Sequence, residues 1–113
     1  MRRFVLTALL FTLATPGFAQ SYSGNWACRD ATAERAGILT IYGSGYGFAS
    51  VRFGDAASGT GSITGYTDGV GFNDGPLRAN RNIEAGRIVP EPTYGMAIQL
   101  ESSQAIEMLC VPR

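Results

Sequence analysis

The chain has 113 residues, nine basic and nine acidic, with 15 Gly, two Cys and no His, and every basic residue is Arg. Without His or Lys, Ser-His-Asp and Cys-His catalysis, His-ligated metals, Schiff-base chemistry and lysine-bearing phosphate loops are excluded. The balanced charge argues against nucleic acid as the main partner.

In chain order, the first element predicted is an address. Arg2 and Arg3 precede an apolar run from Phe4 to Leu13, and Pro16-Gly17 break any helix there. Gly17 and Ala19 put small residues at the −3 and −1 positions of a cleavage site. The pattern predicts a secretory signal peptide over residues 1–19, cut after Ala19. The apolar run is too short to cross about 30 Å of hydrocarbon, so no membrane span is expected once the signal is removed. No Cys follows the run to carry a lipid. The expected location is periplasmic or secreted. Residues 20–113 then form one domain with seven Arg against nine acids, a net charge of −2.

Cys28 and Cys110 are the two cysteines of the chain. In an exported chain they predict one disulfide. Closing so long a loop is worth about 4.5 kcal/mol by the chain-entropy argument. Gly24 to Arg29 alternates, with Trp26 and Cys28 on one face. Ala31 to Ala36 reads as one helical turn, the one helix-like stretch. Gly37 to Tyr42 and Tyr46 to Phe53 read as strands separated by Gly43-Ser44-Gly45, and Ser58 to Tyr66 as a weaker strand. Asp68-Gly69 signals a hairpin turn and Asn73 to Pro76 another, with a short segment from Pro76 to Ala79. Ile83 to Val89 is a further strand candidate, and Pro90 and Pro92 mark an edge or loop.

Tyr94 to Leu100 and Gln104 to Cys110 alternate most clearly, with the even-numbered residues inward. That parity predicts an odd loop, of three residues, with Ile98 opposite Ile106 or Met108. Regular turn signals predict an all-β fold: a small antiparallel β-barrel of six to eight short strands. A Cys28–Cys110 bond would bring the first and last strands together and close it. The bulky inward candidates are Trp26, Leu39, Ile41, Val51, Phe53, Met96, Ile98, Leu100, Ile106 and Met108. They predict an interior filled by side chains, without a ligand-sized cavity.

Gly24-x-Trp26 at the start of the first strand resembles the signature of lipocalins and related small barrels, which bacterial metalloprotease inhibitors share. The resemblance implies that Trp26 plugs one barrel end and that a late Arg, Arg113 or else Arg87, packs across it. The overall plan, with a Cys near each terminus, is also similar to periplasmic inhibitors of C-type lysozyme. Their lysine-containing interaction motif has no counterpart here.

The acids fall mostly at turns (Asp55, Asp68, Asp74) or on outward strand positions (Glu101, Glu107), as solvation and turn-making explain. Asp68 to Asp74 lacks the alternate oxygens of a calcium loop, because Val70 and Phe72 interrupt it. No metal or cofactor is expected. Six aromatics, Tyr22, Tyr42, Tyr46, Phe48, Tyr66 and Phe72, exceed what one small barrel holds, so some should face out and suit a binding surface. The reading is a non-enzymatic binding module that acts through surface loops on a protein of the cell envelope, in its sharpest form a hydrolase inhibitor. The candidate binding residues are Asp68, Phe72, Asp74, Arg78, Arg81 and Arg87. The alternatives are a lipocalin-like carrier of a small apolar ligand and a hydrolase using carboxylates alone.

Overall fold

The computed structural model describes residues 22–51 and 57–113. The expected signal peptide, along with Phe53 and Asp55, lies outside them. Eight strands follow one another around a closed antiparallel barrel: β1 (Gly24–Asp30), β2 (Arg35–Tyr42), β3 (Gly45–Ser50), β4 (Gly59–Tyr66), β5 (Gly69–Phe72), β6 (Ala85–Glu91), β7 (Gly95–Glu101) and β8 (Ile106–Pro112). A short helix, α1 (Gly75–Arg81), joins β5 to β6. Closure comes from β8 pairing with β1, with Cys28 directly opposite Cys110. The disulfide joins these two residues across the seam.

Period-two alternation decides what faces in. Trp26, Cys28, Leu39, Ile41, Tyr46, Phe48, Ile63, Val70, Phe72, Ile98, Leu100, Met108 and Cys110 belong to one buried cluster. The interior is filled. A methyl group added at Gly86, which points inward between β5 and β7, would come within 2.8 Å of Ile98 Cγ2 and 3.2 Å of Leu100 Cδ2. Tyr46 and Phe72 meet edge to face, with ring centroids 4.9 Å apart. Met96 is half-buried against the core. Val51 and Ile106 were expected inside and are exposed, at 58% and 55%. Each lies at or beyond a strand end, where alternation no longer sets direction.

Two local expectations are corrected. Residues 31–34 form no helical turn. They make the tight β1–β2 connection, and Ala33 takes a left-handed conformation with φ of 67°. Asp30 holds it: its Oδ1 accepts from the Thr32 N–H (2.9 Å), the Thr32 hydroxyl (2.7 Å) and the Glu34 N–H (3.1 Å). Such side-chain bonding competes directly with helix. The helix sits instead at Gly75–Arg81. Its signals are Asp74 at the N-cap, a Pro in the first turn, arginines in the last turn and Asn82 in the left-handed stop position.

The β7–β8 hairpin keeps the even-sum register, but one dyad away from expectation. Ile98 faces Cys110 and Leu100 faces Met108. A bulge at Leu100/Glu101 then lets Glu101 pair with Ile106 across four residues rather than three. Ser102 stabilises that longer turn, its hydroxyl oxygen accepting from the Gln104 and Ala105 N–H groups (3.2 and 3.1 Å). Pro90 lies within β6, opposite Met96. The Ile88 N–H points to Asp68 O, so Pro90, two residues on, faces the same side beyond the β4–β5 turn. No ladder donor is needed there, and the prolines do mark a local edge.

Candidate functional site

Trp26 is buried, at 4% exposure, and its indole N–H donates to Tyr22 O at 2.8 Å. Tyr22 is also buried, and its hydroxyl donates to Thr67 O (3.2 Å) in the β4–β5 turn. Burial, and then the charge of Asp68, push its phenol above the ordinary value. Tyr22 therefore ties the first strand's approach to the far side of the barrel over Trp26. Neither arginine suggested by the lipocalin resemblance covers Trp26. Arg113 lies along the outer face of β1, where its N–H donates to Asn25 O (3.1 Å), and Arg87 is engaged with Glu101.

The candidate binding residues do not form one surface. Phe72 is core, 1% exposed, because it points inward from β5 beside Tyr46. The Asp74 carboxylate is held by the Ser62 N–H (2.7 Å) and hydroxyl (3.3 Å). It fixes residues 73–74 along the part of β4 that β5 does not reach. Gly75 follows with φ of +87°, packed so closely that a Cβ would lie 2.5 Å from the Tyr46 hydroxyl. Arg78 donates to Phe72 O at 2.9 Å and clamps the helix to the end of β5. These three residues build structure.

Asp68 and Arg87 do come together. They line a shallow recess on the outer face of β4–β6 with Tyr66 and Glu101. Arg87 binds Glu101 through both Nε (3.1 Å) and Nη2 (3.2 Å), and Gln99 donates to the same carboxylate at 2.7 Å. The Arg87 bond, then the Gln99 bond, holds the Glu101 carboxyl below its ordinary range. Arg81 lies apart, in a polar groove at one barrel end with Asn82, Glu84, Ser103 and Gln104.

No known protein family, curated protein or solved structure matches this chain.

A further recess lies on the outer face of β1–β3. It encloses about 340 Å³ and is lined by Ala27, Ile38 and Val51 with Arg29, Arg35 and Arg113. Barrel closure assembles it. Ala27 pairs with Ile38 on one side and Val111 on the other, and Ile38 pairs with Ala49, so an outward apolar row crosses four strands. Arg29 pairs with Arg35 just below that row. Arg113 stands above it, bonded to Asn25. This trio was missed because its members are far apart in sequence. The signal that would have found it is the disulfide. Once Cys28 faces Cys110, residue 27 must face 111 and residue 25 must face 113. Three tyrosines are also exposed, Tyr42, Tyr66 and Tyr94, each about half. Among the described residues no three metal-ligating side chains cluster.

Proposed function

We propose that this chain is an exported, non-enzymatic binding module that works through the outside of its barrel on a protein of the cell envelope. An inhibitor of a hydrolase there is the sharpest form of that reading. The observation that carries it is the filled interior. Trp26, Leu39, Tyr46, Phe72, Ile98 and Leu100 occupy the space where a carrier would hold its ligand, and each larger recess opens on outward-facing side chains. The export part rests on the Arg2-Arg3, apolar-run and Gly17-x-Ala19 pattern, in keeping with a disulfide, a bond rare in reducing compartments.

The lipocalin-like carrier is the second reading. The eight-strand closed barrel and the buried Trp26 after Gly24 favour it. The two differ in one measurement. Protein isolated from the periplasm is titrated with a fluorescent fatty-acid probe and extracted for bound lipid. A surface binder shows no stoichiometric probe uptake and carries no lipid. One lipid per chain, displaced by the probe, would establish the carrier instead.

A further inference from the structure

The recess on β1–β3 has a chemistry that narrows the partner. Its floor is apolar, from Ala27, Ile38 and Val51, and its cations come from three separate parts of the chain, Arg29, Arg35 and Arg113. Among the described residues no carboxylate lines it. Asp30, the nearest acid along β1, turns its Oδ1 onto the Thr32 and Glu34 N–H groups and the Thr32 hydroxyl. Glu107 on β8 accepts from the Ser102 hydroxyl at the far end of the hairpin. Arg29 spends one donor on Ala33 O (2.9 Å). Among the described residues, none of the three arginines makes an ion pair. Three of the seven arginines in residues 20–113 thus gather around one apolar strip on a chain segment whose net charge is negative.

Spacing fixes the complement. Along β1, Arg29 lies two residues from Ala27 on one side, and Asn25, which carries Arg113 beside it, lies two residues away on the other. Two residues of strand span about 6.6 Å. An extended chain laid along this face places an apolar side chain over the strip and its i−2 and i+2 side chains over the cations. Carboxylates at those positions would make charge-assisted bonds to the guanidinium groups. Main-chain strand addition is excluded because β1 and β2 each have neighbours on both sides. A concave floor of this size suits one inserted side chain better than a bilayer surface does.

We infer that this recess docks an extended acidic segment of a partner protein, with an apolar residue flanked two positions either side by carboxylates. The inference rests on the surface-binding reading and names its ligand chemistry.

The test uses residues 20–113 in oxidised form and a blocked peptide, Glu-Thr-Leu-Thr-Glu. Backbone amide shifts should move at Ala27, Arg29, Ile38 and Val111, and binding should weaken several-fold between 50 and 300 mM salt. Replacing both Glu by Gln in the peptide, or combining R29Q, R35Q and R113Q in the protein, should each reduce affinity at least tenfold. R87Q, which removes a cation elsewhere, should leave it unchanged, with folding of every variant checked by circular dichroism. Shifts mapping to another face, equal binding by the triple variant, or preferential binding to vesicles containing phosphatidylglycerol would each overturn the inference. Uptake of the fatty-acid probe would instead remove the surface reading beneath it, so the two failures are distinguishable.

Discussion

Tyr46→Phe removes one oxygen and should destabilise the barrel well beyond the cost of an ordinary hydroxyl deletion. Tyr46 is fully buried, and its hydroxyl donates to Asp74 O (2.8 Å) while accepting from the Leu77 N–H (3.1 Å). The helix needs that acceptor. Asp74 occupies the N-cap but makes no side-chain cap, since its carboxylate is committed to Ser62. Tyr46 therefore caps α1 from across the barrel. In the Phe variant the Asp74 carbonyl, on an exposed residue, can turn to water. The Leu77 N–H, on a residue with no exposure, cannot. An unsatisfied buried donor costs about 1–3 kcal/mol, and a lost cap about 1 kcal/mol; as these are one and the same bond, the expected total is about 2 kcal/mol. For a domain of this size that lowers Tm by about 8–16 °C. Urea unfolding should show a lower midpoint with an unchanged slope. Tyr42→Phe is the control, because its half-exposed hydroxyl reaches only a 3.4 Å contact with Tyr46 O; its change should stay within about 0.5 kcal/mol. A Tyr46→Phe barrel as stable as the Tyr42→Phe barrel would refute the capping argument.

Five further outcomes are expected. Joint replacement of Cys28 and Cys110 by Ala should lower stability by up to about 4.5 kcal/mol, read as a fall in Tm. Unfolded, unreduced wild-type protein should show no free thiol on labelling. Gly69→Ala should cost about 2–3 kcal/mol in denaturant titrations, since its Cβ would run into the Gly86 carbonyl oxygen, which cannot swing aside. On the alkaline side, burial raises the phenols of Tyr22 and Tyr46 above 10.0. Their contribution is whole below pH 10 and drains away as the unfolded chain ionises first, so stability should fall above pH 10, less steeply in Tyr46→Phe. On the acid side, Glu101 titrates below its ordinary 4.5. Its contribution is present above that pH and lost as pH drops through the lower folded value, so Glu101→Gln should flatten the acid limb of a stability–pH curve.

The barrel was readable because alternation is a local property. Trp26 and Cys28, Leu39 and Ile41, or Ile98 and Leu100 declare their face two residues at a time, and the two cysteines announce which strands must meet. What stayed hidden depends on contacts the pattern does not encode. The seven-residue α1 is too short to show helical periodicity, and its Asp-Gly-Pro start reads equally well as a turn. The bulge at Leu100/Glu101 shifts the last hairpin by a dyad because the Ser102 turn takes four residues. Phe72 reads as a loop aromatic from the turn residues around it, whereas its inward pairing with Ile63 decides its burial. The Arg29, Arg35 and Arg113 surface exists only once the ends are joined, so it belongs to the closed object and to no single segment of the chain.

The seam between β1 and β8 also sets the order of events in the chain's life. Each strand from β2 to β8 can pair with the strand before it as soon as it emerges from the ribosome. β1, however, keeps one bare side until Ile106–Pro112 arrives. Until then the sheet has two open edges of the kind that recruit other chains, and Cys28 has no partner. Folding must therefore wait for nearly the whole polypeptide, and contacts this distant form slowly. A chain built this way stays open to association with other chains until its last strand arrives.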